Sequence, residues 1–176
     1  MPTGKNKVLM APLRAALEDA GLERVHTYIQ SGNVVVQTAL EQRALETLVH
    51  EIVAREFGGD IRVLARPLSY FKRALEQSPF KDADPKKLYF TLLAAAPERA
   101  RLENFLALGA LPDRLKINGD HLYFLTETTF SDLNIDNGFI ERKLKVSATT
   151  RVYRTITKLV DLAEATGLGR DSGSGI

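Results

Sequence analysis

The feature that most constrains this chain is an order of predicted elements that occurs twice along it. Each half contains helix, strand, turn, strand and helix, as judged from the spacing of apolar residues and the position of turn residues. In the first half the predicted elements are a helix at Pro12–Ala20, a strand at Val25–Gln30, a turn at Ser31–Asn33, a strand at Val34–Val36 and a helix at Leu40–Phe57. They are followed by a strand at Ile61–Ala65 and a helix at Pro67–Gln77. In the second half a leading strand at Leu88–Leu93 comes first. It is followed by a helix at Pro97–Leu108, a strand at Leu115–Ile117, a turn at Asn118–Gly119, a strand at His121–Leu125 and a helix at Asn137–Lys145.

A strand that precedes the first helix of such a unit completes the split β-α-β plait of ferredoxin-like domains. The second half has this strand, whereas the first half begins too close to its helix to hold one. We therefore predict an α+β fold of two ferredoxin-like plaits with a long C-terminal helix, Thr150–Ala165. The first predicted domain, residues 1–79, is an N-terminal plait without its first strand, followed by a linker helix. The second, residues 86–166, is a C-terminal plait with the final helix. Residues 167–176 are predicted to form a flexible tail.

Composition narrows the class of protein. The chain has 176 residues, of which 44% are hydrophobic and 26% are charged, as is ordinary for soluble globular proteins. The absence of cysteine excludes disulfides and thiolate sites. The N-terminus lacks the apolar run of a signal peptide, and no window is long and apolar enough to span a bilayer. We therefore expect a cytoplasmic protein that has no membrane partner.

Catalytic and metal-binding patterns are absent from the sequence. His26, His50 and His121 lack the spacing of metal ligands, so we predict no metal site, and no motif calls for a cofactor. No nucleophile elbow or dinucleotide-binding loop occurs. The sequence therefore leaves open whether the protein is an enzyme.

Three motifs resemble a known family. GKNKV (Gly4–Val8), TYIQSGNVV (Thr27–Val35) and TTRVYRTITKL (Thr149–Leu159) match, in order and spacing, the family called domain of unknown function 1697. The resemblance runs from about residue 4 to about residue 165, and it implies a pair of ferredoxin-like plaits with no established activity. In that family an apolar strand usually precedes GKNK, and Asn-Trp usually stands where this chain has Val152–Tyr153. We expect either that the start of the chain is trimmed or that another segment, such as a partner chain, fills the position of the first strand.

The threading of a plait predicts an anion site at one end of the first sheet. The loop that enters the first helix, the hairpin turn and the loop after the second helix all lie at that end. A helix N-terminus there has free N–H groups and positive partial charge, which suit phosphate or carboxylate. The alternative is a hairpin turn and a solvated loop that only lie near each other. The predicted ligand-binding residues are Lys5, Asn6, Lys7, Gln30, Ser31, Gly32 and Asn33.

A basic stretch near the C-terminus is a second candidate. Arg151, Arg154 and Lys158 are predicted to share one face of the last helix, where they would add counter-charge to the anion site or bind nucleic acid directly. A solvated helix face is the alternative. Tyr89 and Tyr123, on the predicted central strands, are a further option for stacking the bases of RNA.

The sequence thus supports three hypotheses, which are given from the most to the least favoured. The first is a binder of an anionic small molecule, with a phosphate-containing molecule such as a nucleotide as its partner. The second is a nucleic-acid-binding module that uses the basic C-terminal helix. The third, favoured by the missing first strand, is a structural or interaction protein that forms a homodimer.

Overall fold

The computed structural model of the protein describes residues 8–29, 32–108, 114–127, 135–167 and 174–175. Helices and strands are interspersed along these residues. The helices are α1 (Met10–Asp19), α2 (Gln42–Phe57), α3 (Leu68–Glu76), α4 (Arg99–Leu106), α5 (Asn137–Leu144) and α6 (Tyr153–Ala165). The strands are β1 (Glu23–Tyr28), β2 (Asn33–Gln37), β3 (Leu88–Leu93), β4 (Leu115–Asn118), β5 (His121–Leu125), β6 (Ala148–Val152) and β7 (Ser174–Gly175).

The chain divides into two compact units. The first unit comprises the residues up to Leu75 together with those from Lys158 onward, and the second comprises Glu76–Thr157. Each unit has its own antiparallel sheet, so the predicted mixed α+β class is confirmed. The division differs from the sequence-based one chiefly in α6, whose residues from Lys158 onward group with the first unit.

The sheet of the second unit has the order β4-β5-β3-β6, and every neighbouring pair is antiparallel. The turn between β4 and β5 is Gly119–Asp120. Gly119 has a φ of 58°, which is easily reached only by a residue without a Cβ atom. One face of this sheet is covered by apolar side chains that α4 and α5 contribute. This core contains Leu93, Phe105, Leu122, Phe124, Ile135, Ile140 and Leu144.

A buried polar chain also connects the sheet of the second unit to α5. The Thr91 side chain is fully buried, and its Oγ1 lies 2.7 Å from Oγ1 of Thr150 on the adjacent strand. Thr150 Oγ1 in turn donates to Asn137 Oδ1 at 2.7 Å, so the Thr91 hydroxyl is left to act as the donor to Thr150. Two strands and a helix are thereby fixed to one another by satisfied polar groups.

The sheet of the first unit has the order β1-β2-β7. The hairpin of β1 and β2 packs its apolar side chains with those of the helices, because alternate strand residues point to the same face. This core contains Val8, Leu13, Leu17, Leu22, Val25, Val36, Leu45, Ile52, Val53 and Ala65. Of the predicted flexible tail, residues 168–173 and 176 lie outside the described residues, and Ser174–Gly175 pair with Val36 and Gln37 of β2.

Two predicted elements are wrong. Ile61–Ala65 is not a strand, because its backbone groups bind side chains of α2: His50 Nδ1 donates to the Ile61 carbonyl at 2.8 Å, and the Ala65 N–H donates to Glu46 Oε1 at 2.8 Å. The last helix begins at Tyr153 rather than at Thr150, because residues 148–152 pair with β3 as β6. Arg151 therefore lies on a strand, and the predicted three-residue helical stripe does not exist.

We expect Asp136→Ala to lower the free energy of unfolding by about 1 kcal/mol, which for a chain of this size lowers Tm by about 2–4 °C. Asp136 is the N-cap of α5, and its carboxylate accepts from the Phe139 N–H at 2.6 Å. Thermal unfolding followed by circular dichroism measures the change. The matched control is Glu98→Ala, because Glu98 is the N-cap of α4 but makes no side-chain capping bond. Equal destabilisation by the two variants would contradict the capping role.

Candidate functional site

Five of the predicted ligand-binding residues, Lys5, Asn6, Lys7, Gln30 and Ser31, lie outside the described residues. Their predicted convergence therefore stays a prediction. The other two residues of the N-terminal set, Gly32 and Asn33, are described and belong to the hairpin of the first unit.

Gly32 and Asn33 take part in the hairpin turn itself. Gly32 has a φ of 80°, which favours glycine, and its N–H donates to the Ile29 carbonyl at 3.4 Å. Asn33 is buried, with 6% of its surface exposed, and its Nδ2 donates to the Tyr28 carbonyl at 3.1 Å. Part of the conspicuous TYIQSGN motif is thus explained by backbone pairing in the turn.

Side chains with acid–base and cationic character share one face of the sheet in the second unit. Phe90 on β3 lies opposite Tyr123 on β5 and opposite Arg151 on β6. His121 is two residues from Tyr123, and alternate residues of a strand point to the same side. His121, Tyr123 and Arg151 are therefore brought to the face of the sheet that α4 and α5 do not cover.

His121 and Tyr123 form a buried hydrogen-bonded pair. His121 Nε2 lies 3.1 Å from the Tyr123 hydroxyl, and His121 Nδ1 lies 3.4 Å from Asp120 Oδ1. Burial lowers the pKa of His121, against the opposing effect of Asp120. Burial also raises the pKa of Tyr123. A neutral imidazole that carries its proton on Nδ1 and accepts from the tyrosine at Nε2 satisfies both bonds.

The hypothesis that Tyr89 and Tyr123 stack RNA bases is wrong in its geometry. Tyr89 precedes Phe90 by one residue and so points to the opposite face from Tyr123. Only 1% of the Tyr123 surface is exposed, and its ring lies edge-on to Phe90 with centroids 5.7 Å apart. A base cannot reach both tyrosine rings at once.

Arg151 is a half-buried cation on the edge strand of this sheet. Its Nη1 donates to Thr149 Oγ1 at 2.8 Å and to the Thr150 carbonyl at 2.9 Å, both neutral oxygens. Burial lowers the pKa of the guanidinium. The arginine keeps its charge, because the ordinary value of its pKa is far above neutral pH, but it has lost part of its hydration.

The N-terminus of α6 comes directly after this arginine. Tyr153 is the first residue of the helix, and its ring centroid lies 6.5 Å from that of Tyr123. The side chain of Arg154 is exposed in the first turn of α6, and its backbone N–H donates to the Pro85 carbonyl at 3.3 Å. The first turn of α6 contains no acidic residue. Further along, exposed Lys158 lies 3.6 Å from Asp161, which offsets its charge.

A family comparison decides the identity of the chain. Residues 2–123 match the model of the family described as "Protein of unknown function (DUF1697)". This chain belongs to the DUF1697 family. The resemblance predicted from the motifs is confirmed, and no curated protein matches the sequence of this DUF1697 protein.

A solved structure has a similar fold. The DUF1697 chain is 24% identical to a protein described as "conserved bacterial protein SP0830 from Streptococcus pneumoniae", with a TM-score of 0.66 and 93% of each chain covered. At this identity the likeness concerns the fold alone.

Two kinds of feature are absent from the part of the DUF1697 chain that the structure describes. No described group of three or more His, Asp or Glu side chains could hold a metal ion. No described helix has both the length and the apolar character needed to cross a bilayer.

Sequence reasoning missed His121 and Tyr153 as members of one cluster. His121 was considered only as a metal ligand, and Tyr153 only as a departure from the family pattern. The spacing of two residues between His121 and Tyr123 on the predicted strand held the missing signal, because alternate residues of a strand point to the same face.

Because His121 is buried, we expect the DUF1697 protein to lose stability as the pH falls below about 6.5. The folded-state pKa of His121 lies below its ordinary value of 6.5, so the unfolded chain takes up the proton first. The contribution of a neutral His121 is therefore complete above pH 6.5 and is lost as the pH falls toward the folded-state pKa. Urea unfolding at pH 7.5 and at pH 5.0 measures this loss in the free energy of unfolding.

The comparison variant is His121→Gln, which keeps an amide beside Tyr123 but cannot titrate. Its free energy of unfolding should change less between the two pH values than that of the wild-type protein. Identical pH dependence in the two proteins would show that His121 contributes nothing to it.

Proposed function

We propose that this protein binds a small anionic molecule, such as a phosphate or a nucleotide, where β6 meets α6. The observation that carries the proposal is the accumulation of positive charge at that junction. Arg151 and Arg154 flank Tyr153, the first residue of α6, and the first turn holds no acidic side chain. The positive end of the helix dipole adds to the two guanidinium charges.

Electrostatics explains why this arrangement favours an anion. Helices gain about 0.3–1 kcal/mol from an acidic group in the first turn and lose a similar amount from a basic one. Arg154 stands where an acidic residue would stabilise α6, and half-buried Arg151 has lost part of its hydration. A bound phosphate or carboxylate would offset both costs, because a guanidinium can donate two parallel hydrogen bonds to such a group.

The loops of the N-terminal half remain a separate part of the proposal. Lys5, Asn6, Lys7, Gln30 and Ser31 are proposed to bind an anion in the first unit, on the sequence argument alone. The Asn33 amide donates to the Tyr28 carbonyl, so it acts mainly as a support of the turn in this proposal.

We also propose that the second unit is a ferredoxin-like plait and that the first follows the order of a plait from its first helix onward. In the second unit the element order β3-α4-β4-β5-α5-β6 and the antiparallel strand order β4-β5-β3-β6 support the assignment. In the first unit, α1-β1-β2-α2 follows the same order from the helix onward.

Binding of nucleic acid is the second candidate. The exposed side chains of Arg142 and Lys143 in the last turn of α5 favour it. Both also have a structural explanation, because basic residues stabilise the C-terminal end of a helix and Lys143 lies over the Phe139 ring at 5.7 Å. Affinity that falls steeply with salt would distinguish nucleic acid from a compact ligand.

Phosphate or a nucleotide at about ten times its Kd should stabilise the protein by about 1.4 kcal/mol. For a chain of this size this stabilisation raises Tm by about 3–6 °C. Arg154→Gln should remove most of the increase, because the variant loses an exposed cation at the α6 N-terminus. Differential scanning fluorimetry with inorganic phosphate and with adenosine diphosphate, at constant ionic strength, measures the shift.

The matched control is Arg99→Gln, which removes an exposed arginine that is paired with Glu103 on α4. It should keep the full increase in Tm. The proposal fails if no tested anion raises the Tm of the wild-type protein, or if the two variants lose the increase equally.

A further inference from the structure

A further feature, independent of the proposed anion site, is a difference between two asparagine–glycine pairs of the second unit. The chain contains two such pairs, Asn118–Gly119 and Asn137–Gly138. An asparagine amide that precedes glycine can be attacked by the next backbone nitrogen, because glycine has no Cβ atom to hinder the approach. The attack closes a succinimide ring, for which the backbone must leave the conformation of a regular strand or helix. Local structure therefore decides which of the two pairs reacts faster.

Asn118–Gly119 lies at an exposed hairpin turn. Asn118 is the last residue of β4, and both residues of the pair are exposed. A Cβ atom at Gly119 would meet no described atom within 4 Å beyond those of its chain neighbours, so the space beside the reacting nitrogen is open. The Asn118 amide donates to Gln77 Oε1 at 3.2 Å, and Gln77 is itself exposed, so water competes for this bond. Ring closure at this pair needs the opening of one hairpin end, which costs little free energy at an exposed turn.

Asn137–Gly138 is held more firmly. Asn137 is the first residue of α5, and its Oδ1 accepts from Thr150 Oγ1 at 2.7 Å. A Cβ atom at Gly138 would lie 3.2 Å from Arg142 Nη1, so the space beside this glycine is crowded. Ring closure here must break the bond to Thr150 and unwind the first turn of α5, which the Asp136 cap stabilises.

We propose that Asn118 is a site of spontaneous deamidation in the folded protein, with water as the co-reactant, and that the fold protects Asn137 from the same reaction. The Gly119 nitrogen forms a bond to Asn118 Cγ, the bond from Cγ to Nδ2 breaks, and the proton of the Gly119 nitrogen passes through water to the amide nitrogen, which leaves as ammonia. Water then opens the ring. Attack at Cγ gives aspartate, and attack at the main-chain carbonyl carbon gives isoaspartate, so neither step oxidises or reduces the chain.

The modification places a carboxylate beside His121. Asn118 lies directly opposite His121 in the pairing of β4 with β5, so the two side chains share a face and their Cβ atoms lie about 4.5–5.5 Å apart. Asp120 Oδ1 already lies 3.4 Å from His121 Nδ1. Deamidation therefore gives His121 a second acidic neighbour, and in the isoaspartate product it also lengthens the main chain at the hairpin by one carbon atom.

The test follows both asparagines in one sample. Folded protein and protein unfolded in urea are incubated at the same mildly alkaline pH, and the proteolytic peptides that contain each asparagine are quantified by mass spectrometry. In the folded protein Asn118 should convert about tenfold or more faster than Asn137, because its local opening costs less. In urea the two rates should become similar, because both amides precede glycine and the fold no longer protects either. Peptides from the Asn118→Asp variant identify the aspartate product, and isoaspartate elutes separately with the same mass.

A variant tests the protection of Asn137. Thr150→Val removes the hydroxyl that donates to Asn137 Oδ1, so it should speed the conversion of Asn137 about three- to tenfold, the effect of losing one hydrogen bond, and leave that of Asn118 unchanged. Equal acceleration at both sites would contradict the local protection. Equal rates at the two sites in the folded wild-type protein would overturn the proposal, and so would an Asn118 that stays intact there while both asparagines convert in urea.

Discussion

The double pairing of β3 is the constraint on which the second unit depends. This strand pairs along its length with β5 on one side and with β6 on the other. The register of these two ladders decides which side chains share a face, since a shift by one residue would send each of them to the opposite side. The apolar core under α4 and α5, and the polar cluster on the other face, both follow from that register.

The two faces of this sheet contain different kinds of polar group. On the core face, the Thr91–Thr150–Asn137 chain is closed, because each hydroxyl donates to the next oxygen. On the other face, His121 and Tyr123 are buried and neutral, and Arg151 is cationic and half-buried beside the start of α6. The closed chain links two strands to α5, whereas the positive charge at the α6 N-terminus is the feature from which we propose an anion site.

The sequence predicted the fold where the local pattern and the tertiary environment agree. Asn118–Gly119 predicted a hairpin by turn chemistry alone, and the structure has that hairpin, with its turn one residue later at Gly119–Asp120. The predicted start of the last helix at Thr150 was wrong, because sheet pairing overrode helical periodicity there. The β-branched residues Thr149, Thr150 and Val152 pair with β3, although the apolar spacing that follows them is helical. Ile61–Ala65 has the composition of a strand, yet it does not form one where its backbone binds the side chains of α2.

The candidate site was less predictable than the fold, for a physical reason. Arg151 and Arg154 were identified from their charge, but their relation to Tyr123 and His121 depends on which residues face each other across β5, β3 and β6. That information is long-range and is not contained in the spacing of either segment. Turn residues such as Asn33 were predicted as ligand contacts, although the Asn33 amide serves the backbone of the hairpin.

The central claim, that the β6–α6 junction binds an anion, is tested most directly by an NMR titration of the ¹⁵N-labelled protein with inorganic phosphate at constant ionic strength. The account predicts saturable shifts of the backbone amides of Tyr153, Arg154 and Thr155 and of the Arg151 side-chain Nε–H, all with one Kd. Shifts that do not saturate, or that are spread over the exposed arginines of α4 and α5 to the same extent, would contradict it.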